Sequence, residues 1–201
     1  MTGESALSCV ASCRFLRGMT RWDTSTWSFR SGCALTAMVA HQLQKDGMQS
    51  HQLEIFADYF QFYLQDETAK GDLSGAWDAA AVECMLAVSP GVVGLGTVRN
   101  MDVAVVLETL DAEPQNDLAG FNHVAEGTLV IQAGPLVVAG CTDYFPDAAR
   151  FDVEPGTYRV RLLCSGLDSL SEDGLDGEDR YLVQLWKAPT VAPRVLKQYV
   201  V

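Results

Sequence analysis

Six carboxylates crowd into the fourteen residues 166–179, GLDSLSEDGLDGED: Asp168, Glu172, Asp173, Asp176, Glu178 and Asp179. Acidic oxygens at that density can do two kinds of chemistry. They can cage a hard cation, or they can pair with Lys and Arg of another molecule. An EF-hand calcium loop wants an acid at its first position, glycine at its sixth and a bidentate Glu at its twelfth. With Gly174 sixth, Ser169 is first and Arg180 twelfth; with Gly177 sixth, Gly174 is third and Val183 last. Neither phase builds the cage, and an irregular calcium site stays open only as an alternative. No basic residue lies inside the segment. It repels itself and cannot bury its charges, so the expectation is a solvated loop held between the strand-like runs TYRVRLLC and RYLVQLW.

A second chemical candidate is GCTDYFPDAAR, which carries Cys141, Asp143, Tyr144, Phe145, Asp147 and Arg150. A cysteine hydrolase needs a thiolate beside a histidine, and His51 and His123 are available elsewhere in the chain. Nothing local places either one, and no helix start follows Cys141 to lower its pKa. A small hydrolase is therefore the alternative and a buried thiol the main reading. TDYFPD reads better as a turn that presents aromatics between Asp143 and Asp147, the composition of an interface anchor, with the alternative that Phe145 plugs the bottom of the sandwich and Asp143 caps a turn. Gly91, Gly94 and Gly96 lack the spacing and the Lys-Ser/Thr of a phosphate loop, and Cys9-x3-Cys13 has no second pair to complete a zinc site. No metal, cofactor or catalytic residue is expected.

Charge narrows the partner. The chain has 14 Lys+Arg against 26 Asp+Glu, a net charge of -12. Residues 1–47 carry +2 and residues 48–201 carry -14. Direct nucleic-acid binding needs a basic footprint that displaces counterions, and this body has the opposite sign. An acidic field steers basic proteins, although keeping the chain soluble is a sufficient use for it. The partner expected is a basic protein such as a nuclease or toxin. No run approaches the roughly 18 apolar residues of a membrane span.

Those residues need a frame, and the patterning from residue 51 onward is of period two. Strands are expected at 52–57, 59–65, 92–99, 103–109, 122–126, 128–133, 136–140, 149–153, 157–164 and 180–186. One helix is expected between Asp72 or Ser74 as N-cap and the Pro90-Gly91 stop, with Trp77, Ala81, Cys84, Met85 and Val88 on one stripe. Many short strands punctuated by turns predict an all-β fold, an antiparallel β-sandwich with one short helix packed on it. In 157–164, Tyr158, Val160, Leu162 and Cys164 should face the core, with Arg159 and Arg161 opposite. Residues 1–47 are Ser- and Arg-rich without period and read as a disordered or extended segment upstream of a start at Met48. Residues 48–201 read as a single β-sandwich domain.

Several stretches resemble the competence-J family, typified by an inhibitor of a DNA-entry nuclease. They are the aromatic IFADYFQFYLQDE, the Trp77-Asp78 step into a helix, the GLGTVRN strand exit and FDVEPGTYRV at residues 151–160. The resemblance spans residues 53–185. It implies a small cytoplasmic β protein, of the bacterial immunity-factor kind, that binds and restrains another protein without catalysis of its own. The 166–179 loop is longer than the family's and TDYFPD departs from it. The partner-binding residues expected from the two segments are Asp143, Tyr144, Phe145 and Asp147, with Asp168, Glu172, Asp173, Asp176, Glu178 and Asp179.

Overall fold

A computed structural model describes residues 48–115 and 117–200. The expectation for residues 1–47 falls outside the described part.

Among the described residues, eleven strands and one short α-helix follow in chain order: β1 (Met48–Phe56), β2 (Gln61–Asp66), α1 (Ala79–Cys84), β3 (Leu86–Ser89), β4 (Val92–Gly96), β5 (Asp102–Leu110), β6 (His123–Ile131), β7 (Leu136–Gly140), β8 (Ala149–Phe151), β9 (Gly156–Ser165), β10 (Arg180–Lys187) and β11 (Arg194–Lys197). They form a six-stranded sheet ordered β1-β5-β10-β9-β6-β11 and a five-stranded sheet ordered β3-β4-β2-β7-β8. The apolar sides of the two sheets meet in one core. Val103, Val105, Leu107, Val160, Leu162, Val183 and Leu185 come from the first sheet, and Phe62, Leu64, Leu86, Val93, Leu95 and Leu136 from the second. The expected β-sandwich is the fold observed.

The pairing departs from pure antiparallel in one place. β10 lies parallel to β5, Tyr181 beside Val105 and Val183 beside Leu107. A parallel pair needs a long return connection, and here the intervening chain, which itself builds β6 to β9, supplies it without a helix. The stretches 122–126 and 128–133 are one strand, β6, rather than two. Gly127 is there to let the sheets approach, not to break the strand: a Cβ on it would sit 2.7 Å from a Leu86 methyl.

The helix is shorter than its apolar stripe predicts. Asp78 caps it, accepting from the Ala81 N–H at 2.8 Å, while Asp72 closes a separate turn with Ser74. Met85 ends it in the left-handed region (φ 53°), and Val88 belongs to β3. Trp77 precedes the helix and packs on Gly94, where a Cβ would meet its ring at 2.8 Å. The 3.6-residue stripe is thus shared between a turn, a single helical segment and β3, which is itself an edge strand of the second sheet.

On β9, Tyr158, Val160, Leu162 and Cys164 face the core as expected. Arg159 and Arg161 face outward but are buried, because coil from residues 113–114 and 189–191 lies over them. Glu126, wholly buried, accepts from Arg159, Arg161 and Arg194, and the Arg161 guanidinium stacks 4.7 Å from the Trp186 ring. Burial alone would raise the Glu126 carboxyl, but the Arg194 and Arg161 hydrogen bonds and charges outweigh it and hold the pKa below the usual carboxylate range.

Candidate functional site

The acidic loop leaves β9 at Ser165 and enters β10 at Arg180, which pair with each other, so its ends are fixed. Gly166 starts it with φ 71°; a Cβ there would collide with the Glu178 carbonyl at 2.4 Å, so the turn requires glycine. Inside, the Ser171 N–H reaches the Asp176 carbonyl at 2.8 Å, and the Glu178 N–H reaches the Ser169 hydroxyl at 2.7 Å. The Ser171 hydroxyl and Leu175 N–H both donate to Asp173, lowering its carboxyl pKa. The Asn122 amide and Tyr199 hydroxyl donate to Asp168. The loop is a folded object with its own hydrogen bonds.

Five of its six carboxylates are exposed as the sequence predicts; Asp179 is not. Only 2% of Asp179 is accessible, and it accepts from the Arg99 guanidinium and from the Tyr181 hydroxyl at 2.8 Å. Tyr181 in turn accepts the Val98 N–H at 2.9 Å, and burial pushes its phenol pKa far up. A charge can leave water when a partner charge and hydrogen bonds replace the lost hydration. Arg99 lies 80 residues upstream, and the sequence held no sign of the pairing. Asp179 therefore positions the loop instead of displaying charge.

The same end of the sandwich carries two further segments. Beyond Gly140 at the end of β7, Asp143 accepts the Gly140 N–H at 2.7 Å. Tyr144 is 72% exposed, whereas Phe145 is half-buried beneath the Arg150 guanidinium, 5.6 Å from its ring. Arg150 also donates to the Phe145, Pro146 and Ala148 carbonyls and to Glu67, so the segment is clamped with Asp147 on its outer side.

The other segment joins β1 to β2, and sequence reasoning placed it in a strand. Tyr59 and Phe60 both have φ 58° and are 51% and 54% exposed. The left-handed region costs an L-residue with a side chain about 1–2 kcal/mol. The strain is held in place: the Phe60 N–H donates to Asn100 and its carbonyl accepts the Thr97 N–H at 2.9 Å. The Ala57 N–H donates to the Met101 carbonyl, so this tip is tied to the 97–101 turn, whose Arg99 holds the acidic loop. The sequence signal was present in the consecutive aromatics of DYFQF: adjacent residues of a strand point to opposite faces, so Tyr59 and Phe60 could not both enter the core.

The hydrolase geometry is not assembled. His123 is fully buried, its Nε2 3.0 Å from the Cys84 carbonyl and its Nδ1 accepting the Tyr199 N–H at 3.3 Å, so neither ring nitrogen serves Cys141. Burial lowers its pKa. His51 lies against Phe151, the ring centroids 4.6 Å apart and the planes tilted by 47°, beside the opposite end of β7 from Cys141. Among the described residues no three His, Cys, Asp or Glu side chains converge as a metal cage, and no helix is long and apolar enough to cross a membrane.

No family model matches this chain, and no curated protein matches it. Two solved structures are similar. One is the crystal structure of ComJ, inhibitor of the DNA degrading activity of NucA, from Bacillus subtilis, with TM-score 0.55 and 15% identity over 70% of this chain and 98% of that one. The other, described as crocagin biosynthetic gene J, has TM-score 0.48 and 14% identity over 71% and 99% of the two chains. The resemblance to the competence-J family read from stretches such as FDVEPGTYRV therefore holds at the level of the fold, which this chain shares with ComJ.

Proposed function

We propose that the chain is a non-catalytic protein-binding module that restrains a basic partner of the nuclease type. The observation that carries this reading is the disposition of charge. Seven of the nine Lys and Arg among the described residues are held in ion pairs, by only six carboxylates. The remaining acidic side chains dominate the field, and four of them, Asp168, Glu172, Asp173 and Asp176, stand on a loop whose ends are paired in the sheet. Such a field attracts the Lys and Arg that a nuclease uses to grip phosphates, and it repels nucleic acid itself. Tyr144, between Asp143 and Asp147, adds an exposed aromatic anchor at the same end. ComJ, which has this fold, inhibits a DNA-degrading enzyme, in line with the proposal. The described thiols, Cys84, Cys141 and Cys164, form no disulfide, which fits a reducing cytoplasm.

The test uses the immobilised protein to capture partners from an extract of its source organism, followed by salt elution and a DNA-cleavage assay on the eluate. The expected result is a nuclease activity that free protein suppresses at a fixed molar ratio. An eluate without nuclease activity, or a captured nuclease that excess protein leaves active, overturns the reading.

A further inference from the structure

Half of the outer face of the six-stranded sheet is left bare. Coil covers it over β9 and β6, but at the β1–β5 side Gln52, Glu54, Phe56, Asp102 and Ala104 are exposed. Cross-strand register sets Phe56 opposite Asp102, Glu54 opposite Ala104 and Gln52 opposite Val106. On the other side of β5, Arg180 lies beside Ala104 and Leu182 beside Val106. The arm of the acidic loop at residues 177–180 borders this patch, and with Gln52, Glu54, Asp102 and Ala104 it lines an open groove of about 600 Å³.

The groove has an apolar floor and a negative rim. Ala104 and Val106 form the floor, and Glu54, Asp102 and Glu178 stand around it. Its two cations are already engaged, Arg99 by buried Asp179 and Arg180 by Glu178 at 3.5 Å. Where β1 ends at Phe56, which is itself 39% exposed, the chain enters the strained Tyr59–Phe60 tip. Two aromatic rings held in water on a left-handed backbone are unfavourable in the free protein, and such strain gathers at ligand clamps.

We infer that this groove and the Tyr59–Phe60 tip are the docking face for a cationic protein surface. A partner Arg or Lys lays its alkyl stem on Ala104 and Val106 and puts its charged head between Glu54 and Asp102. Tyr59 and Phe60 pack on an apolar neighbour or stack on a second cation. The carboxylate rim rejects phosphate, so nucleic acid and anionic lipid do not fit. This inference rests on the protein-binding reading above and adds where the partner sits: the acidic loop steers, and the groove and tip grip.

Two measurements test it. In the first, the isotope-labelled protein is titrated with a short peptide of alternating Arg and Leu. Amide shifts confined to 52–60, 102–106 and 177–180 are expected; shifts centred on 171–176 or 143–147, or none, overturn the docking face. In the second, Tyr59→Gly/Phe60→Gly and Ala104→Arg are compared with the unaltered protein against the captured nuclease. Glycine relieves the left-handed backbone, so the double variant should melt no lower than the parent and still bind more than tenfold more weakly. A merely structural tip gives the reverse pattern, a lower Tm with unchanged binding. Ala104→Arg should weaken binding by a similar factor through repulsion. If the unaltered protein inhibits and both variants inhibit equally well, the docking face is wrong while the protein-binding reading stands. If the unaltered protein captures no nuclease, that reading falls by itself, and the peptide titration still decides the face.

Discussion

Replacing Asp179 with alanine removes one half of a buried ion pair and leaves the other half in place. Arg99, with 11% of its side chain accessible, then has its guanidinium facing an empty site, and the Tyr181 hydroxyl loses its acceptor. Removing one partner of a buried pair costs about 3–5 kcal/mol, because the surviving charge is uncompensated. The Arg99 hydrogen bond to the Leu175 carbonyl, 3.2 Å, remains and offsets a little of this. At about 2–4 °C per kcal/mol for a domain of this size, the midpoint should fall by about 6–20 °C. The assay is urea and thermal unfolding of Asp179→Ala beside Asp176→Ala, an exposed neighbour expected to stay within about 0.5 kcal/mol of the parent. Adding Arg99→Met to Asp179→Ala should restore part of the loss, since no unpaired charge is left. A cost below about 1 kcal/mol for Asp179→Ala, or no recovery in the double variant, would show that the pair is solvated and that Asp179 is surface charge like its five neighbours.

Glu172→Gln/Asp173→Asn/Asp176→Asn should keep the parent's Tm and slow association with the captured nuclease at low salt, the difference vanishing as salt rises; equal on-rates at every salt concentration would make the loop ordinary solvated surface. Asp66 is buried, yet N–H groups of Thr68, Ala133 and Gln132 and the Thr68 hydroxyl outweigh that burial and lower its pKa to about 2. A depressed folded-state pKa contributes stability that is complete above the unfolded value near 3.8 and lost as pH falls through about 2. Asp66→Ala should therefore cost about 2–3 kcal/mol at pH 7 and flatten the acid side of the stability profile between those values, which pH-dependent urea unfolding reads directly. Gly127→Ala should cost about 1–3 kcal/mol by forcing the two sheets apart at Leu86, measurable as a lower urea midpoint.

The all-β architecture was legible along the chain because period-two alternation and turn residues are local signals. Tyr158, Val160, Leu162 and Cys164 alternate inward wherever the strand finds its partners. The failures are equally local in origin. Gly127 looked like a break because glycine is weak in strands, but its use depends on Leu86 in the other sheet, 41 residues upstream. Trp77 to Val88 kept a helical stripe because inward-facing residues such as Cys84, Met85 and Val88 recur at that spacing, although the backbone changes from turn to helix to strand beneath them.

The candidate site divides in the same way. Negative charge concentrated in residues 166–179, and the exposure of Asp168, Glu172, Asp173, Asp176 and Glu178, follow from the sequence by itself, since neighbouring carboxylates repel and seek water. That Asp179 is buried follows only from the fold, which brings Arg99 and Tyr181 to it. The β1–β5 face is bare because the covering coil from residues 113–114 and 189–191 lies over β9 and β6 instead. Tyr59 and Phe60 are exposed because Asn100 and Thr97 hold their backbone in a conformation that the residues would not choose alone. Composition and period record what each residue prefers; which preferences are overruled depends on partners that only tertiary structure supplies.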